Sequence, residues 1–251
     1  MTELPLLRGK ALASVSGAVH GFTTRAGGVS TGTLATLNLG RRKAEDDATL
    51  RENWRRVADR LLPGADLGAV AVLDQVHGAD VVRVTEPRGP FVAVARADAS
   101  FTTERGVLLA VKVADCVPVL LAGPGVVGVA HAGWRGTAAG VVRALVRALR
   151  ETVGGVELKA AVGPCIGVES YEVGPEVVSA LRAARLRAED FLVDRSPRPH
   201  VDLGRAVLAQ LAAEGVEADR IERSTATDPD LYSHRRDGPD TGRSAGVVAL
   251  C

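Results

Sequence analysis

Residues 107–136 read VLLAVKVADCVPVLLAGPGVVGVAHAGWRG. Two apolar runs rich in Val, Leu and Ala read as strands. The first closes in Ala114-Asp115-Cys116, and the second, after Gly123-Pro124-Gly125, in His131-Ala132-Gly133-Trp134-Arg135-Gly136. One strand therefore ends in a thiol and the other in an imidazole. From Gly136 onward, GTAAGVVRALVRALRETV predicts an amphipathic helix over 136–153, with Arg143, Arg147 and Arg150 or Glu151 opposite Val142, Leu145, Val146 and Leu149. The start of that helix lies beside His131, and its free backbone N–H groups offer a seat for an anion such as phosphate.

Upstream, 69–73 and 81–84 read as short strands joined by Asp74-Gln75-Val76-His77-Gly78-Ala79-Asp80. A loop histidine is more often solvated than ligating, but Gly78 lets a bound group approach the backbone closely. Asp46 or Asp47 caps a predicted helix to Leu62, with Leu50, Trp54, Val57, Ala58 and Leu61 at helical spacing and Pro63-Gly64 at its end. Residues 11–23, containing His20, form a β-leaning entry segment that leads into a Gly, Thr and Ser-rich loop reaching Gly40. Downstream, 159–162 reads as a strand ending in Gly163-Pro164-Cys165, a cysteine with nothing local to make it a thiolate and hence structural. Tyr171-Glu172-Val173-Gly174-Pro175 opens a helix, His200-Val201-Asp202-Leu203 leads into another to about Glu214, and strands are expected over 221–225 and 245–250. This order of elements favours one mixed α/β or α+β domain spanning residues 1–251.

At 251 residues with 46% hydrophobic composition, the chain can bury a full core. A net charge of +1 gives no single-sign field to steer it to nucleic acid or anionic lipid. Its three cysteines, Cys116, Cys165 and Cys251, are odd in number and widely spaced, which does not make a disulfide framework and fits a reduced cytoplasm. The N-terminus lacks the apolar core of a secretory signal, and no uncharged run reaches the length of a membrane span, so a cytoplasmic protein is expected.

Thiolate and neutral imidazole are good zinc ligands, and catalytic zinc takes three protein ligands with one position left open. His77, Cys116 and His131 supply such a set, all at strand ends or in loops beside glycine. A Cys116–His131 dyad for nucleophilic catalysis is the competing reading. In the tail, Arg235, Arg236 and Arg243 lie in a Gly-rich loop and could pair bidentately with phosphate or carboxylate, although an ordinary basic surface loop explains the composition as well.

The blocks TTRAGGVS (23–30) with NLG (38–40), DQVHGADVV (74–82), ADASFT (97–102), ADCVPVLL (114–121), AHAGWRGT (130–137), GPCIG (163–167) with YEVG (171–174) and SHRRDGPDTGR (233–243) resemble, in order, the YfiH or laccase-domain family. Its members are called polyphenol oxidases in older usage and purine nucleoside phosphorylases with adenosine deaminase activity more recently. The resemblance implies an α+β fold of mixed sheets in an α-β-β-α sandwich, similar to the catalytic domain of cytotoxic necrotizing factor toxins. It also implies one catalytic zinc on His77, Cys116 and His131, with Arg25 and Asn38 lining the substrate pocket. Ser224 is a departure, since many members carry a cysteine there.

A multicopper oxidase needs roughly ten histidines for its copper sites, and this chain has five, so copper is the less favoured metal. The expectation is thus a zinc-dependent phosphorylase for purine nucleosides (adenosine, inosine, methylthioadenosine) that also deaminates adenosine, with nucleoside and phosphate as partners and a monomeric or homodimeric state. Asp98 and Asp115 are the candidates to hold a ligating imidazole from behind. The alternatives are a Cys–His hydrolase or amidase acting on a peptidoglycan precursor, a copper polyphenol oxidase, and a binding module built on a closed zinc site.

Overall fold

In the computed structural model, which describes residues 4–193 and 198–251, the stretch 107–136 forms three strands: Leu108–Val113, Val117–Gly123 and Val126–Ala132. All their residues are buried except Lys112, which is half-buried. Strands covered on both faces have no polar side to show, so they read as unbroken apolar runs. The second and third form an antiparallel hairpin turning at Pro124-Gly125, where Gly125 has φ 72°, a conformation glycine adopts without steric penalty. The first strand does not join them. It pairs with Ser244–Leu250 and Val70–Val72 instead, so at Ala114-Asp115-Cys116 the chain leaves one sheet and enters another.

Across its width the first sheet runs Leu6–Leu7, Ala18–Thr23, Ser244–Leu250, Leu108–Val113, Val70–Val72; the second runs Glu217–Arg220, Lys159–Val162, Val117–Gly123, Val126–Ala132, Ala99–Thr102, Val81–Arg83. Both are mixed, because Val70–Val72, Val81–Arg83 and Glu217–Arg220 each run parallel to a neighbour. Alternation along each strand then divides its side chains between two layers. Phe22, Leu109, Val111 and Val248 pack on Leu120, Val127 and Val129 between the sheets. Leu108, Ala110 and Val247 turn outward to the helix Asp47–Leu61, while Val119, Leu121, Ala130 and Val162 turn outward to the helices Val141–Val153 and Leu203–Ala213. The layers are α-β-β-α, the expected sandwich. Trp54, Leu108 and Leu120 are fully buried, and each such side chain removed from water contributes roughly 1.5–3 kcal/mol. Among the described residues no helix is long and apolar enough to cross a membrane.

Three expectations change. The helix expected over 136–153 is two, Trp134–Ala139 and Val141–Val153, because Gly140 at φ 83° ends one and begins the next. Residues 10–13 are helical and only Ala18–Thr23 is extended: the Asp219 carboxylate accepts from Lys10 and Ala11 N–H, and His20 Nε2 accepts from Gly9 N–H, satisfying the helix start. The strand expected over 221–225 lies earlier, at Glu217–Arg220, a partly exposed edge strand whose polar sequence carries no apolar signal.

Candidate active site

Two crossings between the sheets meet at one end of the sandwich. Residues 73–80 connect Val70–Val72 of one sheet to Val81–Arg83 of the other, 114–116 make the second crossing, and His131 stands near the end of Val126–Ala132 beside them. Asp98, fully buried, ties these segments together. Its carboxylate accepts the backbone N–H of Val76 (3.1 Å), His77 (2.9 Å) and Gly78 (2.6 Å), and it is 2.8 Å from His131 Nδ1. An ionised carboxylate only accepts, so Nδ1 carries the proton and Nε2 is left for a ligand.

Close approach needs two glycines of the HAGWRG turn. A Cβ on Gly133 would lie 2.9 Å from His77 Cδ2 and 3.1 Å from Cys116 Sγ, and one on Gly136 would lie 2.9 Å from the Gly78 carbonyl oxygen. With these glycines, one donor atom from each of His77, Cys116 and His131 falls within 4.8 Å of the others, and Cys116 Sγ is 3.9 Å from His77 Nε2. Tetrahedral zinc bonds of the usual lengths place sulfur and nitrogen ligands about 3.6 Å apart, so the donors fit one metal ion. Burial alone would push the Cys116 thiol up, but hydrogen bonds with His131 and His77 outweigh it and bring the thiol down to about 6. Burial acts against the His131 cation, and bonds to Asp98 and Cys116 outweigh that too, raising it to about 9. The three residues thus favour a thiolate beside an imidazolium, and a cation replacing those protons meets ligands already arranged for it.

The group opens into a cavity of about 340 Å³, walled also by Lys112, Ile166, Tyr171, His234, Arg235 and Arg243. Arg235 lies over the Tyr171 ring at 5.4 Å, held by carbonyl oxygens of Ser170 and Glu172. Asp115, expected behind an imidazole, accepts instead from Thr225 Oγ1 and Arg235 N–H, so it fixes the tail loop against the cavity.

Of the other candidates, Arg235 and Arg243 reach the cavity and Arg25, Asn38 and Arg236 do not. Arg25 donates to the carbonyls of Thr33 and Ala35, lies over Tyr232 and borders a separate surface depression. Asn38 is fully buried, donating to Gly40 O and Glu45 and accepting from Gly40 and Arg243 N–H. Arg236 is spent on the carbonyls of Thr225, Asp228 and Leu231 and on Asp237. The helix begins at Trp134, two residues before Gly136, and Gly136 does not line the cavity, so the cavity wall lends no support to an anion seat at Gly136. Lys112, Tyr171, Ile166 and His234 were missed. For Lys112 the signal was present, as the single charge interrupting an apolar run four residues before Cys116.

Residues 19–251 match the family described as multi-copper polyphenol oxidoreductase laccase. The chain belongs to this laccase-domain (YfiH) family. A purine nucleoside phosphorylase of Deinococcus radiodurans is 42% identical over 250 residues, covering 98% of this chain and 93% of that protein. Purine nucleoside phosphorylase YlmD of Geobacillus stearothermophilus is 41% identical, covering 93% of this chain and 90% of its own. The crystal structure of YlmD from that organism matches with a TM-score of 0.84 at 37% identity, over 94% of this chain and 92% of that one. Bacillus licheniformis YfiH matches with a TM-score of 0.86 at 29% identity over 93% of each chain. The layered fold is thus that of the laccase-domain family; the blocks DQVHGADVV, ADCVPVLL and AHAGWRGT bring His77, Cys116 and His131 together, and GPCIG, YEVG and SHRRDGPDTGR complete the cavity wall.

Proposed function

We propose that this chain is a zinc-dependent purine nucleoside phosphorylase, acting on adenosine, inosine or methylthioadenosine, that also deaminates adenosine. The observation carrying the proposal is the meeting of His77, Cys116 and His131 in a cavity with a cationic wall. Relatives named purine nucleoside phosphorylase, similar over 98% and 93% of the chain, support it. Zinc is favoured over copper by the donor set of one thiolate and two imidazoles, and by the five histidines, of which His20 is buried far along the chain as an acceptor for Gly9 N–H.

His77, Cys116 and His131 would hold the ion, which when bound supplies a Lewis acid for a substrate oxygen and for the water of deamination. The rest falls to the chain's own groups. Asp98 fixes the His131 tautomer. Tyr171 under Arg235 presents an aromatic wall on which a purine can stack. Lys112 and Arg243 offset the charge of phosphate. In phosphorolysis a phosphate oxygen bonds to ribose C1′ and the C1′–N9 bond breaks. Its electron pair leaves with the base, and the proton of monohydrogen phosphate ends on that base.

The test is zinc content together with release of hypoxanthine from inosine and adenine from adenosine, with and without phosphate, in wild type and His77→Ala. About one zinc per chain, phosphate-dependent release and a loss of at least about a hundredfold in the variant are expected. A metal-free, active wild type, or a variant as fast as wild type, removes the assignment.

One observation favours a second reading, a thiolate hydrolase of amides or cell-wall peptide precursors: Cys116 and His131 bring donor atoms within 4.8 Å of each other, and Asp98 holds His131 Nδ1 from behind at 2.8 Å. Amide turnover that persists in chelator and is abolished by a single iodoacetamide adduct on Cys116 would establish it; loss of all turnover in chelator would eliminate it.

A further inference from the structure

Near the metal-ligand group the cavity wall carries Lys112, Arg235 and Arg243 against one carboxylate, Asp115, whose oxygens are taken by Thr225 Oγ1 and Arg235 N–H. Lys112 is placed there by strand alternation: it follows Leu108 and Ala110 on the face towards the helix Asp47–Leu61. Val70–Val72 stops pairing at Ala110, and the Gln75 side chain closes the ladder beyond it, donating to Lys112 O and accepting Lys112 N–H, each at 2.9 Å. Lys112 is therefore fixed by its backbone while its ammonium, among the described residues, has no hydrogen bond or ion pair. A cation withdrawn from water without a partner is unfavourable, and burial, followed by repulsion from Arg42, draws Lys112 below its ordinary range.

The repelling neighbours are held equally firmly. Arg42 Nε and Arg243 Nη1 both donate to the Thr241 carbonyl, at 2.6 and 2.9 Å, so the two guanidiniums lie side by side. Asn38 Oδ1 accepts N–H from both Gly40 and Arg243 and staples the two loops, and Gly40 leaves room where a Cβ would come within 2.6 Å of Arg243 Cγ. Among the described residues none of Arg42, Lys112 and Arg243 forms an ion pair. Arg243 retains Nε and Nη2, and Arg42 retains Nη2, as donors without a partner among the described residues. Three fixed cations with free donors, two of them lining the cavity that holds Cys116 and His131, suit a compact oxyanion of high charge better than a neutral ribose.

We infer that Lys112, Arg42 and Arg243 form the seat of the phosphate co-substrate, with Asn38 and Gln75 as positioning residues. The inference rests on the phosphorolysis proposed above, and it assigns phosphate to residues other than Arg235 and Arg236.

The experiment is calorimetric titration of the purified protein with inorganic phosphate and, separately, with inosine 5′-monophosphate, alongside the KM values for phosphate and inosine, in wild type, Lys112→Gln, Lys112→Arg and Arg243→Gln. Removing one charge is expected to weaken phosphate binding and raise its KM by about tenfold or more, with the inosine KM within about twofold of wild type and partial recovery in Lys112→Arg. Arg243→Gln gives the same pattern independently, should Lys112→Gln not fold. An unchanged phosphate KM in a wild type that phosphorolyses inosine, or KM values for both substrates rising together, overturns the seat and leaves the reaction standing. Phosphate binding that depends on Lys112, in a protein that releases no base, keeps the anion seat and overturns the reaction. Lys112-dependent binding of the monophosphate with none of free phosphate overturns the co-substrate assignment.

Discussion

Cys116 and Cys165 stand on neighbouring loops and each has charged groups at hand, yet they are held in opposite states. Cys116 is brought down to about 6 and Cys165 is pushed up to about 12. Burial raises both thiols. At Cys116 it is outweighed because two imidazoles direct ring nitrogens at the sulfur, and Asp98 supports the charge on one of them. At Cys165 the nearest cation is Arg220, 3.8 Å away, but its Nη1 is committed to both oxygens of Asp202 at 2.7 and 3.0 Å. Asp202, and Glu222 beyond it, also act on the sulfur itself and counter what Arg220 does for it. The character of each thiol is therefore set by the charges that face its sulfur, two imidazoles at Cys116 and one guanidinium opposed by carboxylates at Cys165, more than by depth in the molecule.

The largest test of this contrast exchanges sulfur for oxygen at each site. Cys116→Ser should lose the metal and at least about a hundredfold in base release, because a ligand is worth more than the roughly 10–100-fold that its outer partners carry. Cys165→Ser should retain metal and turn over within about twofold of wild type, its cost confined to stability. Zinc analysis and inosine phosphorolysis on the two variants decide it, and equal effects would erase the distinction. Next in size is Asp98→Asn, which keeps an acceptor for His131 and loses the charge. Zinc affinity or turnover should fall about 10–100-fold, measured by competition with a chromophoric chelator. A variant with wild-type affinity would show that the carboxylate only pins the loop at Val76, His77 and Gly78.

The two sites also differ in how far the sequence exposes them. Strands buried on both faces, such as Val117–Gly123 and Val126–Ala132, are legible because nothing polar interrupts them. Glu217–Arg220 is not, since its strand character comes from pairing with Lys159–Val162 alone. His77, Cys116 and His131 stand out as reactive residues beside glycines at strand ends, whereas the link from Asp98 to His131 spans 33 positions and needs the antiparallel register of Ala99–Thr102 with Val126–Ala132. Arg25 and Asn38 mark the opposite limit. The loop block that contains them shows that those residue types recur there, and cannot separate a residue facing a ligand from one that bonds the loop to itself. Asn38 does the latter, and bears on the cavity only through Arg243.

The smallest effect lies in the stability of the Cys165 side of the comparison. Its folded thiol, at about 12, is raised above the value of about 8.5 expected in an unfolded chain. The folded state holds the proton more tightly, so the stabilisation is complete below about pH 8.5 and is lost as pH rises towards 12. In that window wild type should lose about 1.4 kcal/mol of stability per pH unit through this group. Cys165→Ala has no thiol to titrate. At about pH 8 it should be the less stable protein, by about 1 kcal/mol for the lost packing, and the gap should close within roughly the first pH unit above 8.5 and then reverse. Urea unfolding of both proteins at a few alkaline pH values measures the gap directly, and the remaining Tyr and Lys groups titrate alike in each and cancel. A gap that stays constant across the window would mean that water or Arg220 reaches the sulfur when it ionises, and that the two thiols differ in degree only.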